Sequence, residues 1–325
     1  MNILYVIGNG LDIARKMETS YQDFFSHYLT LPSDDEDIKA MKKEIDSQRN
    51  KTWADLEIGM GIYSSNCADR EVFLKCLNDI KDRLKEYLQK ESEKINLYKV
   101  NSFSGFINPA QFLDPEPRNR YIRYRSKFNP NETIDIITLN YTSTLESIFG
   151  YSGSAISISK ESVLRNIIHV HGTLENMMVM GVNDSSQISN TSFNTDVDII
   201  EDFVKPEYND ACMNNKNVDC ESLIRNANII VFYGTSLGKS DEKWWKLIGK
   251  RMEQDSYPLL VYLPFDENKN LATEPNHLRR WTMESVREIR QKFDIKIDDQ
   301  LLASRICIAF NKSLFPIVRL HQPIK

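Results

Sequence analysis

The 325-residue sequence lacks any apolar run approaching the ~20 residues that would span a bilayer. Its N-terminal apolar run is too short for a signal peptide and has no basic flank. Paired cysteines are missing too. Cys67, Cys76, Cys212, Cys220 and Cys307 are odd in number and scattered, and no Cys-x-x-Cys occurs. That excludes a zinc-ribbon signature and fits reduced thiols in a cytoplasmic protein. There is no excess of positive charge. Lys and Arg number 41 against 46 Asp and Glu, a net charge of -5. Broad electrostatic binding to nucleic acid is therefore not expected, although a local basic patch is compatible with this balance. No internal repeat and no low-complexity segment is present. At 41% hydrophobic and 27% charged residues, the composition is that of an ordinary globular protein with a sizeable core.

What is present begins at the first ten residues. Ile3-Leu4-Tyr5-Val6-Ile7 is an unbroken apolar run, as in a strand buried on both faces of a parallel sheet. Gly8-Asn9-Gly10 stops it. A Gly-x-Gly turn bends tightly and lets backbone approach a ligand closely, and open α/β sheets bind ligands beyond the carboxyl ends of their strands. Residues 8–12 thus predict the floor of a nucleotide pocket. The third glycine of the dinucleotide fingerprint is replaced by Ile13, and Asp12 brings a negative charge that could cap a helix or bind a ribose hydroxyl. A plain strand-to-helix turn is the competing reading.

Ser20 and Asp23 predict a capping box before a helix with Phe24, Phe25 and Tyr28 on its face. Trp53 to Glu57 opens another helix. Phe73, Leu77, Ile80, Leu84 and Leu88 mark a long amphipathic one. Residues 33–128 read as a nearly all-helical insertion. Strands are predicted at 134–138, 166–170, 228–232, 259–263 and 306–310, with a shorter one at 177–182. The polar stretch 183–196 is long enough to be a lid. Ser240 or Asp241 is expected to cap a helix with Trp244, Ile248 and Met252 on its face. Thr273-Glu274-Pro275 starts a helix carrying Leu278, Trp281 and Ile289. The alternation predicts an α/β fold: one domain over residues 1–325, a doubly wound, mostly parallel sheet with the helical insertion at 33–128.

Four predicted strands end in polar or glycine-rich residues: Gly8-Asn9-Gly10, Asn140-Tyr141-Thr142, His171-Gly172 and Gly234-Thr235-Ser236. In a parallel sheet these ends share one edge. His171 is the natural proton acceptor. Asn140 can donate and accept at once, so it can hold a water or a sugar hydroxyl. Each has a structural alternative: Asn140 as a helix cap, His171 as a hydrogen-bonding brace. His169 shares the face of His171 and competes with it. Gly234 to Ser240 resembles a phosphate-binding P-loop short of one residue between its glycines. Asp12, Glu57 and Asp241 could supply carboxylates to a metal-dependent nuclease or nucleotide hydrolase, but their spacing matches no metal motif, and no metal is expected.

Gly8-Asn9-Gly10-Leu11-Asp12, Ser20 to Phe25, Trp53 to Glu57, Leu139-Asn140-Tyr141-Thr142, His169-Val170-His171-Gly172 and Gly234 to Asp241 occur in an order that resembles the AbiH family of bacteriophage abortive-infection proteins. The same landmarks are similar to the sirtuin NAD-binding domain, a Rossmann variant. Gly8-Asn9-Gly10-Leu11-Asp12 stands where sirtuins carry Gly-Ala-Gly-x-Ser. Thr138-Leu139-Asn140-Tyr141-Thr142 stands for Thr-Gln-Asn-x-Asp, His171-Gly172 for the catalytic His-Gly, and Gly234-Thr235-Ser236-Leu237 matches letter for letter. The zinc-binding cysteines of deacetylating sirtuins are absent, which argues against a deacylase. The resemblance implies a sirtuin-like anti-phage NADase with NAD as substrate. It implies Asn140 and His171 as catalytic residues beside the nicotinamide ribose. Gly8, Asn9, Gly10, Asp12, Thr142, Gly234, Thr235, Ser236 and Asp241 would bind the rest of the dinucleotide. The alternative from another class is a non-enzymatic nucleotide-binding sensor triggered by a phage or host protein. Assembly into a homo-oligomer is compatible with the long helices at 68–100. No membrane partner is expected.

Overall fold

A computed structural model describes residues 1–212, 215–266, 269 and 274–319. The apolar runs form a seven-stranded sheet. Its strands are β1 (Asn2–Ile7), β3 (Glu132–Thr138), β4 (Ile156–Ser157), β5 (Ser162–His169), β6 (Ile229–Tyr233), β7 (Leu259–Leu263) and β8 (Ile306–Ile308), in the order β4-β5-β3-β1-β6-β7-β8. Every pairing is parallel except the short edge strand β4 on β5. A second, two-stranded antiparallel sheet joins β2 (Tyr98–Val100) to β9 (Ile317–Arg319). The α/β, mostly parallel expectation is borne out.

Why β1 is central follows from its residues. Ile3, Tyr5 and Ile7 pack into one core and Leu4 and Val6 into another, on opposite faces of the sheet. A strand buried on both faces has no room for alternation with polar residues. Between β1 and β2 lie α1 (Gly10–Ala14), α2 (Tyr21–Tyr28), α3 (Glu36–Gln48), α4 (Leu56–Tyr63) and α5 (Arg70–Ser92). After β2 come α6 (Ser104–Ile107) and α7 (Pro115–Arg125), then α8 (Thr144–Phe149) after β3. The second half carries α9 (Val197–Phe203), α10 (Lys205–Ala211), α11 (Lys216–Asn226), α12 (Glu242–Met252), α13 (Leu278–Lys292) and α14 (Asp299–Arg305). Helices α11 to α14 bury their apolar stripes on the Leu4/Val6 face, and α6 to α8 on the Ile3/Tyr5/Ile7 face.

The helical stretch 33–128 divides between cores. Helices α2 to α5 build a third core together with residues 174–204, through Phe24, Trp53, Phe73 and Leu77 on one side and Met180, Phe193 and Phe203 on the other. Tyr141 joins this core from the carboxyl end of β3. Two excursions of the chain, one after β1 and one after β5, therefore meet above the same edge of the sheet. Residues 104–125 instead pack on the sheet face.

Several local expectations hold and several need correction. The capping box is present: Asp23 N donates to Ser20 Oγ at 3.1 Å and Ser20 N to Asp23 Oδ2 at 3.2 Å. Phe73, Leu77, Ile80, Leu84 and Leu88 all face inward along α5. By contrast, residues 177–182 form no sheet strand. Val182 makes only an isolated bridge to Val204, because this segment pairs with the α9 end rather than with the sheet. Residues 98–100 are strand within the expected helical block, and the last sheet strand stops at Ile308. The stretch 183–196 is not a free lid. Ile188 and Phe193 are buried, Ser189 N donates to Gly61 O at 2.9 Å, and Asn190 N to Ser64 Oγ at 2.9 Å. Thr273 lies outside the described residues; Pro275–His277 form a tight turn that leads into α13. Among the described residues no helix is long and apolar enough to cross a membrane.

Candidate functional site

Strand register brings the four turns to one edge. Ile7 pairs with both Thr138 and Tyr233, and Thr138 pairs with His169. The residues after these positions, 8–10, 140–142, 171–172 and 234–236, therefore lie side by side at the carboxyl edge. The turns also cross. Gly8 N donates to Tyr233 O at 3.0 Å and Gly10 N to Gly234 O at 2.8 Å. A Cβ on Gly10 would stand 2.5 Å from Gly234 Cα, and one on Gly8 2.7 Å from Gly234 O. These glycines are accounted for by backbone meeting backbone. Gly172, at φ +76°, is required likewise, since a Cβ there would fall 1.5 Å from Met177 O.

The expected binding residues do not all face the same way. Asn9 is tied to Thr19, donating to Thr19 O at 2.7 Å and accepting from Thr19 Oγ1 at 2.6 Å. Asp12 is buried and accepts from the hydroxyls of Thr142 at 2.7 Å and Thr144 at 2.6 Å. Burial pushes its carboxyl above the ordinary value, against the pull of those hydroxyls. Asp12 and Thr142 thus lock the first helix to the turn after β3. Ser236 is exposed. Asp241 stands at the start of α12 yet makes no capping bond with its side chain, because that side chain is turned onto His171.

Among the residues expected at the site, three have buried groups left open. Both the oxygen and nitrogen of the Asn140 amide, the Nδ1 of His171 and the hydroxyl of Thr235 are buried without a protein partner. Burying such groups unpaired costs about 1–3 kcal/mol each. They sit at the ends of β3, β5 and β6, the three strand ends around which the turns converge. His169 differs: Nδ1 lies 2.8 Å from Asn140 O and Nε2 2.8 Å from Glu146 Oε1, so both its ring nitrogens are committed, one to the turn after β3 and one to α8. Of the two histidines, His171 alone has a ring nitrogen to offer.

His171 is oriented from behind. Its Nε2 lies 2.8 Å from Asp241 Oδ1. An ionised carboxylate only accepts, so Nε2 carries the hydrogen and Nδ1 is left as a lone-pair acceptor. Burial, then the charge of Lys205, holds the imidazole below its usual pKa despite Asp241. Lys205 closes the arrangement. Its Nζ donates to Glu57 Oε2 at 2.8 Å, Asp241 Oδ1 at 3.0 Å and Ser240 O at 3.2 Å; Lys205 and Glu57 are buried and Asp241 is partly buried. Glu57 also accepts from Gly181 N at 3.1 Å. Burial would raise Asp241, but Lys205 and His171 hold it well below the usual carboxylate range. Burial raises Glu57 to about 7, with the negative charge of Asp241 working against the pull of Lys205.

Lys205 carries no motif signal in the sequence, and Glu57 is read there as part of a helix opening and as a candidate metal ligand. The fold places an ammonium between Glu57 and Asp241 and sends Asp12 to Thr142 and Thr144. Among the described residues no cluster of three or more His, Cys, Asp or Glu is arranged to hold a metal ion. Beside His171 a narrow cleft, lined also by Asn183, Asn209 and Trp244, leaves free space of about 10 Å³. That is about one water molecule.

These features define an α/β protein whose polar crevice lies at the carboxyl edge of a parallel sheet, roofed by a helical unit. A comparison with protein families matches residues 4–262 to bacteriophage abortive infection AbiH. The chain belongs to that family, which points to a role in abortive infection by phage. No curated protein matches it.

Proposed function

We propose that this AbiH-family protein acts in abortive infection by hydrolysing NAD to nicotinamide and ADP-ribose. The observation that carries the reading is the set of orphaned buried groups at the carboxyl edge: the Asn140 amide and the Nδ1 of His171, with the Thr235 hydroxyl beside them along the edge. Buried polar atoms are nearly always paired, so an unpaired set at the ligand-binding edge of a parallel sheet supports a ligand there. The likeness of these same positions to sirtuin motifs supports a dinucleotide.

The chemistry asks little of the protein. The nicotinamide leaving group is already cationic, and the transition state resembles an oxocarbenium ion. Water adds its oxygen to the ribose C1, the C–N bond breaks with its electron pair going to nicotinamide, and one proton is released. His171 Nδ1 accepts that proton. Asp241 orients the ring through Nε2 and stabilises the imidazolium that forms. Asn140 holds the water or the ribose hydroxyls, and Thr235 donates to the dinucleotide. Because the cleft beside His171 has room for about one water, entry of a dinucleotide requires the 174–205 segment to withdraw. Gly8, Gly10 and Gly234 shape the floor through their mutual packing, and Asp12 acts through Thr142 rather than on a ribose.

Purified protein should consume NAD, read by separating nicotinamide from ADP-ribose. Asn140→Ala and His171→Ala should each lower the rate by about 10²–10⁴-fold, the usual worth of a positioned proton acceptor. Wild-type turnover by the His171 variant would refute the assignment. Calorimetric binding of NAD or ADP-ribose with no turnover would favour the sensor.

A further inference from the structure

A second cleft lies at the opposite edge of the sheet. It encloses about 640 Å³, within the range of small-ligand pockets. Its walls come from the turn after α6, from α7, and from the residues leading into β3 and β5, including Asn108, Arg118, Tyr121, Ile122, Arg125 and Phe128. The cleft is thus at the amino ends of β3 and β5, separated from Asn140 and His171 by the length of β3, roughly 20 Å at about 3.3 Å per residue. It is not part of the crevice described above.

Its chemistry has two sides. One is apolar, with Tyr121 buried, Phe128 half-buried and Ile122 53% exposed in the wall. The other is cationic. Helix α7 and the residues after it carry Arg118, Arg120, Arg123, Arg125 and Lys127 against Glu116, in a chain whose net charge is -5. Two of these arginines line the cleft, and both are fixed. Arg118 donates through Nε to Ala110 O and through Nη2 to Gln111 O, each at 3.1 Å, so neutral carbonyls hold it and its charge and Nη1 group remain available. Arg125 is anchored at 2.6 Å by Glu132, whose side chain is fully buried and also accepts from Ser162 Oγ at 2.9 Å. Guanidinium groups held from behind, facing a ligand-sized space with an apolar wall, suit bidentate recognition of phosphate. Glu161 on the rim and the negative net charge disfavour a long polyanion.

We propose that this cleft binds a small phosphate ester with a flat apolar body, of the nucleoside phosphate class. The phosphates meet Arg118 and Arg125, and the base lies along Ile122 and Phe128.

The test is calorimetric titration of the full chain with ATP at low salt, followed by the same titration of Ile122→Glu, Arg118→Gln and Asn140→Ala. Ile122 is exposed, so a charge there changes the cleft without opening the core, and circular dichroism verifies each fold. ATP binding that weakens at least tenfold in both cleft variants, persists in Asn140→Ala and falls with added salt is the expected result. Absence of ATP binding to the wild type overturns the proposal. So does binding that is indifferent to the two cleft variants, or binding lost in Asn140→Ala, which would assign the ligand to the carboxyl-edge crevice instead.

Discussion

Replacing Lys205 by Met tests the electrostatic reading of the crevice directly. The buried ammonium lies between the buried carboxylate of Glu57, at 2.8 Å, and the partly buried one of Asp241, at 3.0 Å. Methionine keeps most of the volume and removes the charge. Breaking a buried ion network by deleting one partner costs about 3–5 kcal/mol, because the remaining charges are uncompensated. The unfolding entropy of a 325-residue chain is about 0.7 kcal/mol/K, at about 2.1 cal/mol/K per residue, so this loss lowers Tm by about 4–7 °C. The loss must also depend on pH. Glu57 is raised to about 7 from an ordinary 4.5 even with Lys205 in place. A raised acid pKa favours the fold below the unfolded value, and that contribution disappears as pH rises from 4.5 through 7. Without the cation Glu57 is raised further. The destabilisation at pH 9 should therefore exceed that at pH 6 by about 1.4 kcal/mol for each unit of extra elevation. Adding Glu57→Gln to Lys205→Met should recover much of the loss at pH 9 and flatten its pH dependence. Thermal melts of the three proteins at pH 6 and pH 9 decide it. An equal Tm loss at both pH values, or none, would refute the reasoning.

Two further outcomes follow. Gly10→Ala should cost about 1–3 kcal/mol or more, since its Cβ would meet Gly234 Cα at 2.5 Å and neither backbone can give way alone; a denaturant melt with near wild-type stability would show that the crossing is looser than described. If His171 is the proton acceptor, the acidic limb of NAD turnover should lie below pH 6.5, because burial and Lys205 lower its pKa. The ring then stays neutral, and the activity present, until pH falls through that lowered value. A rate already half lost above pH 6.5 would contradict this.

Much of the fold was legible because its signals are local. Ile3 to Ile7, Ile134 to Thr138 and Ile229 to Phe232 are runs that only a doubly buried strand can use, and α5 displays its stripe without interruption. What was not legible depends on pairing across the chain. Met177 to Val182 is apolar enough for a strand, but Gly181 packs against Phe203, where a Cβ would stand 2.1 Å from its carbonyl oxygen, so the segment joins the helical core. The polar character of 183–196 suggests a lid, whereas the structure buries Ile188 and Phe193 of that stretch in the helical core.

At the carboxyl edge, the turn glycines have a different reason from the one their spacing suggests. Gly8, Gly10 and Gly234 suggested room for a ligand, whereas each makes room for the other's backbone. The crossing they permit nonetheless ties the β6 turn that carries Thr235 to the β1 turn, on the same edge where the Asn140 side-chain amide and His171 Nδ1 remain unpaired. Lys205 could not have been found from motif spacing, since it lies 148 residues from Glu57 and 36 from Asp241. Its role exists only once the excursion after β5 folds back over the edge. A buried lysine so placed holds Asp241 ionised, an ionised Asp241 fixes the hydrogen on His171 Nε2, and that leaves Nδ1 free to accept. The helical roof and His171 are therefore coupled through one side chain, and a displacement of the 174–205 segment would change the charge state of the crevice as well as its access.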